Sequence, residues 1–136
     1  MSWDASFSVS DDHGHPVTPY GWSWNYTHNC NRMIEEALGA VVADTEEPWW
    51  SRLNKDENVT PALGSRSWWD LLDGQSGVEG SALLSKIITE LRRDPDHYDN
   101  LGPNNGWGDR ESLLEVLDAM LAASQRFANG RWSVSG

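Results

Sequence analysis

The sequence contains one cysteine, Cys30, and no long apolar run among its 136 residues. A single cysteine cannot form an internal disulfide, so the chain suits a reducing compartment. A membrane-spanning helix needs about 18 consecutive apolar residues, and no such stretch is present. The opening residues, MSWDASFSVSDDHGH, lack the basic and apolar regions of a secretory signal peptide. We therefore expect a cytoplasmic protein that does not enter a membrane.

Basic residues are also few. The chain has 10 Lys and Arg against 21 Asp and Glu, which gives a formal net charge of −11. Direct binding to nucleic acid or to an anionic membrane needs clustered Lys and Arg, so both classes are disfavoured. An acidic surface serves solubility. It also steers a protein towards a partner that carries a basic groove.

Established catalytic motifs are missing as well. The sequence has no G-x-S-x-G, no P-loop and no G-x-G-x-x-G. The segment DDHGH offers Asp11, Asp12, His13 and His15, but no second cluster has the spacing of zinc ligands. We interpret that segment as a solvated loop and predict neither a metal nor a cofactor.

The first half of the chain contains signals for strands and a helix. Alternating apolar residues predict a strand over 6–10, and a strand or an extended lead-in over 20–26. Apolar residues at helical spacing predict a helix over 31–43, with Asn31 as its N-cap. The polar, Trp-rich residues 44–69 are interpreted as a variable insertion.

The second half has clearer helix boundaries. A capping box that begins at Ser76 starts a helix, and Pro95 ends it. A further helix begins after Asp109 and ends near Asn129-Gly130. Residues 131–135 alternate again and predict a final strand.

Together these elements predict one α+β domain over 1–136. Three main helices pack on a small, partly antiparallel sheet formed by the N-terminal and C-terminal strands. The final strand needs a partner because an unpaired strand leaves its backbone groups unsatisfied. The helix positions predicted to be buried are Leu84, Ile87, Ile88, Leu91, Leu113, Leu117, Met120 and Leu121.

Two segments carry a resemblance to a known family. These are NYTHN…M over 25–33 and DPDHYDNLGPNNGWG over 94–108. They are similar to the N-x-T-x-N…M opening and the D-P-x-x-Y-x-x-L-x-P-x-N-G-W-G turn of small uncharacterised bacteriophage and actinobacterial proteins. Gly102 stands where that family has Asn, and Arg110 where it has an aromatic residue. The resemblance implies a phage-type accessory protein in the host cytoplasm, a class that includes proteins that blunt host defences.

The NYTHN segment is the first candidate site. Its amides, hydroxyl and imidazole can recognise the edge of a purine, and Trp24 or Tyr26 can stack on the base. The structural alternative is a loop whose Asn side chains satisfy backbone groups at a helix entrance.

The NGWGD turn is the second candidate site. Gly106 and Gly108 permit positive φ and a close approach to the backbone. Asp109 begins a helix, where amide groups favour anions. The structural alternative places Trp107 in the core between two helices, with Asn105 closing the turn.

We therefore expect a noncatalytic protein that binds and sequesters a small nucleotide-derived ligand. Tryptophans would stack on the base, amides would recognise its edge, and Arg32 or helix amides would hold phosphate. The candidate ligand-binding residues are Trp24, Asn25, Tyr26, Thr27, His28, Asn29, Arg32, Asn105, Trp107 and Asp109.

Two other functions stay open. An acidic inhibitor would dock on a host nucleic-acid-binding or defence protein, and its affinity would fall steeply with salt. A small hydrolase would use His28 with Asp109, although no activated nucleophile is visible. The pairs Trp49-Trp50 and Trp68-Trp69 suggest self-association, with one ring of each pair buried and the other exposed.

Overall fold

The central strand of the sheet is the N-terminal one. The computed structural model describes residues 2–10, 13–19, 22–43, 68–102 and 108–136. The strands are β1 (Ser2–Ser10), β2 (Pro16–Val17), β3 (Ser23–Thr27) and β4 (Arg131–Ser135). β1 pairs with β3 along one edge and with β4 along the other, while β2 pairs with its end. The predicted sheet of N- and C-terminal strands is confirmed, and every described pairing is antiparallel.

Within the described residues, five α-helices pack on one side of this sheet. They are α1 (Asn31–Ala43), α2 (Trp69–Leu72), α3 (Gly77–Arg93), α4 (Pro95–Asp99) and α5 (Arg110–Arg126). The helix α3 lies between α1 and α5. The α+β class with three main helices is therefore confirmed.

One aromatic-rich core joins the two layers. The buried residues of β1 are Trp3, Ala5 and Phe7, which alternate with exposed or half-buried residues. Trp132 and Val134 of β4 face the same side, as their spacing predicts. The ring centroids of Phe7 and Trp132 are 4.8 Å apart. Strand alternation thus gives the sheet one apolar face, and the helices bury it.

The helix starts of the second half match the sequence signals. Ser76 accepts a hydrogen bond from the backbone of Glu79, whose carboxylate accepts from the backbone of Ser76. Asp109 caps α5 in the same reciprocal way with Ser112. Each box satisfies backbone donors that a helix end leaves free.

Several predicted boundaries were wrong. β1 begins at Ser2 rather than at residue 6, because Trp3 and Ala5 continue its buried face. Pro95 begins the short helix α4 instead of only ending α3. The helix α5 ends at Arg126, before the predicted Asn129-Gly130, because Phe127 takes an extended conformation.

Two side-chain predictions also need correction. Asn31 is the first residue of α1, after a 3₁₀ turn at His28–Cys30, and its side chain accepts a hydrogen bond from the indole of Trp68. Leu121 is only half-buried, whereas Leu114 is buried. Of the predicted insertion, residues 44–67 lie outside the described residues.

The two tryptophans of the second pair, Trp68 and Trp69, have different environments. Trp68 is fully buried and meets Trp3 edge to face, with centroids 4.9 Å apart. Trp69 is half-buried and packs beside Gly136. The first pair, at 49 and 50, lies outside the described residues.

A glycine on α3 determines how closely α3, α5 and β4 approach. A Cβ atom at Gly80 would lie 2.5 Å from Nε1 of Trp132 and 2.9 Å from Oγ of Ser124. That indole donates to Ser124 Oγ, which in turn donates to the carbonyl oxygen of Gly77. Only a residue without a side chain leaves this buried chain of hydrogen bonds undisturbed.

We expect Gly80→Ala to lower the free energy of unfolding by about 1–3 kcal/mol, because the methyl group overpacks the junction. Urea unfolding followed by far-UV circular dichroism measures the change. Ser85→Ala, at an exposed position of the same helix, is the matched control. Equal stability of the two variants would contradict the proposed packing role of Gly80.

Candidate functional site

The strand β3 divides the candidate residues between two faces of the sheet. Trp24 lies opposite Ala5 and Tyr26 lies opposite Trp3, so both rings face the helices. Asn25 lies opposite Asp4 on the outer face. The side chain of Asn25 therefore does not share a pocket with the rings of Trp24 and Tyr26, because successive strand residues point in opposite directions.

Tyr26 connects β3 to the start of α5. Its hydroxyl lies 2.7 Å from Oγ of Ser112 and donates to the carbonyl oxygen of Asp109 at 3.2 Å. The same hydroxyl lies 3.6 Å from the sulfur of Cys30. Burial raises the pKa of Tyr26 to about 12. The phenol stays neutral near pH 7 and acts here as a bridge between two elements.

Gly108 brings the end of the NGWGD turn against this bridge. Its φ is +90°, in the region that glycine adopts readily. A Cβ atom there would lie 2.8 Å from Cγ2 of Thr27 and 3.0 Å from the hydroxyl of Tyr26. Gly108 and Asp109 therefore meet the Tyr26–Thr27 end of β3. Asn105 and Trp107 lie outside the described residues.

The side chain of Asp109 already binds a backbone amide at the start of α5. Its carboxylate accepts a hydrogen bond of 2.7 Å from the backbone of Ser112. That bond, with the Ser112 hydroxyl, lowers the pKa of the Asp109 carboxyl. The negative side chain thus takes the place that a bound anion would use.

The other candidate residues are scattered. The amide of Asn25 donates to Oγ of Ser2 at 2.9 Å and to Oδ1 of Asp4 at 2.8 Å. Thr27 accepts a hydrogen bond from the backbone of Asn29, which caps the following turn. Arg32 is exposed on α1. The side chain of His28 lies outside the described residues.

A groove between β3 and α5 is the feature that the sequence analysis missed. Its volume is about 320 Å³. One wall is formed by the half-buried rings of Trp22 and Trp24. The opposite wall is formed by α5 residues Ala119, Ala122, Ala123 and Arg126. We call this feature the Trp–Ala groove.

Neighbouring aromatic rings hold both tryptophans of this groove in place. Trp24 packs on Trp132, with centroids 5.6 Å apart. Trp22 lies 5.7 Å from Phe7 and 5.7 Å from Phe127. Other aromatic rings therefore pack against both indoles. The small side chains of the alanines opposite them leave the groove unfilled.

Arg126 brings a positive charge to one end of the groove. Its guanidinium carbon lies 5.9 Å from the centroid of Phe127, whose side chain is 43% exposed. The pattern of alanines at 119, 122 and 123 before this arginine is visible in the sequence. Residues three and four apart share a helix face, so the small-residue face was detectable, but its location opposite β3 was not.

A second, polar hollow lies on the outer face of the sheet. It has a volume of about 340 Å³. Its lining residues are Asp4, Ala5, Ser6, Ser23, Trp24, Asn25, Ser133 and Ser135. Polar side chains on the solvated face of an antiparallel sheet are ordinary, so this hollow is weaker evidence for a site than the Trp–Ala groove.

Among the described residues, neither a metal cluster nor a reactive thiol is found. No three His, Cys, Asp or Glu residues within the described ranges lie close enough to hold a metal ion. The thiol of Cys30 is fully buried, and desolvation raises its pKa. A reactive cysteine needs the opposite shift and an exposed sulfur.

A buried carboxylate on α3 is held by structural partners. Glu90 accepts a hydrogen bond from the hydroxyl of Tyr98 at 2.8 Å and from Nε of Arg93 at 2.9 Å. The Arg93 guanidinium is the main cause of the lowered pKa of Glu90. This cluster joins α3 to α4 and lies away from the Trp–Ala groove.

Comparison with known proteins finds no family model that matches the chain, and no curated protein or solved structure matches it either. Of the helices within the described residues, none has the length and apolar content needed to cross a membrane.

We expect Cys30 to resist modification by a thiol reagent in the folded protein and to react rapidly in urea. The sulfur is inaccessible, and its raised pKa reduces the thiolate population near pH 8. Ellman's reagent measures both rates, and Cys30→Ser supplies the blank. Rapid reaction of the native thiol would contradict the buried environment.

Glu90 should make stability depend on pH. Because its pKa is lower in the folded chain than the ordinary 4.5, its contribution is complete above pH 4.5 and is lost as the pH falls through the folded-state value. We expect wild-type protein to exceed Glu90→Gln in stability at pH 7 and to lose that advantage progressively as the pH falls below 4.5. Urea unfolding across this range measures the difference. A constant difference at all pH values would contradict the role of the charge.

Proposed function

We propose that this protein is a noncatalytic binding protein that holds a segment of another protein in the Trp–Ala groove. The observation that carries the proposal is the pairing of two supported, half-buried tryptophan rings with a helix face of alanines. Together they form an apolar recess that is open along its length and has one cation at its end.

These residue types match those that dominate protein interfaces. Aromatic rings and arginine contribute most of the binding energy in measured complexes. Rigid rings lose little conformational entropy when a partner arrives. The ring contacts of Trp22 and Trp24 hold them before binding, so a partner would meet a formed surface.

The titratable groups at the start of α5 favour a structural role over acid–base catalysis. An effective catalytic acid or base has a pKa near the working pH. The pKa of Tyr26 is raised to about 12, that of Cys30 is raised and that of Asp109 is lowered. All three shifts move the pKa of the group further from pH 7.

The charge of the chain favours a partner with a basic surface. A net charge of −11 attracts such a partner over distances of about 8 Å at physiological salt. In this proposal the partner is a host defence or nucleic-acid-binding protein, as the resemblance to small phage proteins implies. We also propose that the protein acts in the host cytoplasm.

A nucleotide-like ligand is the second candidate. One observation favours it: the Trp24 ring and the Arg126 guanidinium border the same groove. A base would stack on the indole, and a phosphate would pair with the guanidinium. An open groove buries less of a small ligand than a pocket does, which is why the protein segment is preferred.

The test is selection of a random-peptide display library against three immobilised proteins. These are the wild type, Ala122→Arg and the matched control Ser85→Arg. Both substitutions place a good helix former at an exposed helix position, so we expect all three to melt alike. Only Ala122→Arg fills the groove.

We expect selected peptides to bind the wild type and Ser85→Arg equally and to bind Ala122→Arg at least about tenfold more weakly. Fluorescence titration of the same three proteins with nucleotides measures the second candidate. Peptides that bind all three proteins equally would contradict the proposal. Groove-dependent binding of nucleotides alone would favour the ligand-binding alternative.

A further inference from the structure

Within the described residues, the outer backbone edge of β3 has no hydrogen-bonded partner. The outer edge of β4 is covered by the segment around Gln75. The backbone amide of Trp132 donates to the carbonyl oxygen of Gln75, and the carbonyl oxygen of Trp132 accepts from the amide of Gly74. No equivalent segment among the described residues bonds to the outer edge of β3. An open edge offers a row of unpaired donors and acceptors to another chain.

The pairing register identifies the open groups. The amide of Phe7 donates to the carbonyl oxygen of Trp22, so these two residues form a hydrogen-bonded pair. Such pairs recur every second residue in an antiparallel ladder. Trp24 therefore directs its backbone groups towards β1, while Ser23 and Asn25 direct theirs outward.

The sequence of β3 does not protect this edge. Natural edge strands are usually blunted by charged residues, proline or a bulge. The strand reads Ser-Trp-Asn-Tyr-Thr and contains neither a charge nor a proline. The Trp–Ala groove runs beside the same edge, on the side that faces α5.

We propose that the partner segment binds as an extra antiparallel strand on β3 and inserts alternate side chains into the Trp–Ala groove. This inference rests on the proposed function and adds its mode of binding. Main-chain hydrogen bonds to Ser23 and Asn25 would supply affinity, and the groove would select side chains. All described strand pairs are antiparallel, so an antiparallel partner strand would continue the same pattern of pairing.

The orientation of α5 predicts the chemistry of the segment. Tyr26 lies beside the start of α5 at Ser112, whereas Trp22 lies beside Phe127 at its end. A strand antiparallel to β3 therefore runs towards Arg126. We expect two apolar residues in alternate positions, followed on the same face by a carboxylate that pairs with this arginine.

The probe is the capped peptide acetyl-Thr-Val-Thr-Phe-Thr-Glu-amide. When its Phe lies opposite Trp24 and its Glu lies opposite Trp22, its second Thr lies opposite Asn25 and its third Thr lies opposite Ser23. Directly opposed residues share a face, and only alternate opposed pairs exchange hydrogen bonds. Because Ser23 and Asn25 direct their backbone groups outward, the Thr amides opposite them pair with β3 while the Phe amide points away. Methylating the backbone nitrogen of the central Thr removes one of these hydrogen bonds to β3. Methylating the backbone nitrogen of Phe is the matched control, because that N–H points away from β3.

The matched protein variants are Asn25→Pro and Asn25→Ala. Both remove the contacts of the Asn25 amide with Ser2 and Asp4. Only proline also removes the outward N–H, a change that edge strands tolerate. Calorimetry of each protein with each peptide measures affinity, and thermal melts verify folding.

We expect Asn25→Pro and the Thr-methylated peptide each to weaken binding about tenfold, as the loss of one bond predicts. Asn25→Ala and the Phe-methylated peptide should bind like the unmodified pair. Equal affinity of the two Asn25 variants would overturn strand addition, even where Ala122→Arg still shows that the groove binds peptides.

Two further outcomes would also overturn it. The first is no binding of the probe to the wild type at millimolar concentration. The second is a dimer that Asn25→Pro dissociates, because the occupant would then be a second copy of this chain. The library selection with Ala122→Arg tests the proposed function separately, since that substitution leaves the backbone edge intact.

Discussion

The pairing of β1 on both of its edges is the constraint on which the rest of the structure depends. Asp4, Ala5 and Ser6 each lie opposite a residue of β3 on one side and a residue of β4 on the other. This double ladder holds the two ends of the chain in one sheet. It also aligns the inward rings of three strands on one face, where α3 and α5 bury them.

The candidate site follows from this arrangement. With β1 in the middle, β3 and β4 lie on either side of it, and among the described residues the segment around Gln75 covers the edge of β4 while no segment bonds to that of β3. The bridge from Tyr26 to Ser112 aligns α5 along β3, and the Trp–Ala groove forms between them. A backbone edge and an apolar groove thus lie side by side, which is the pair of features that strand addition uses.

The sequence predicted local features well. The capping box at Ser76, the helix start after Asp109, the buried stripe of α3 and the alternation of β4 are all confirmed. The approach of Gly108 to Thr27 brings the end of the NGWGD turn to the NYTHN segment, which the sequence did not predict. The alternation of Trp22, Trp24 and Tyr26 was also visible. This alternation already implied that the side chain of Asn25 points to the other face of the sheet. The predicted binding site nevertheless combined Asn25 with Trp24 and Tyr26.

Features that depend on distant parts of the chain were not predictable in the same way. A cap or a helical stripe involves residues within a few positions of each other, so its signal is contained in a short stretch of sequence. The sequence by itself therefore determined where most elements begin, which faces are apolar and that the charge is strongly negative. Only the tertiary structure decided which strand edge stays open and which helix face lies opposite Trp22 and Trp24. Tyr26 and Ser112 are 86 positions apart, and contacts over such a separation arise only from packing of the whole core.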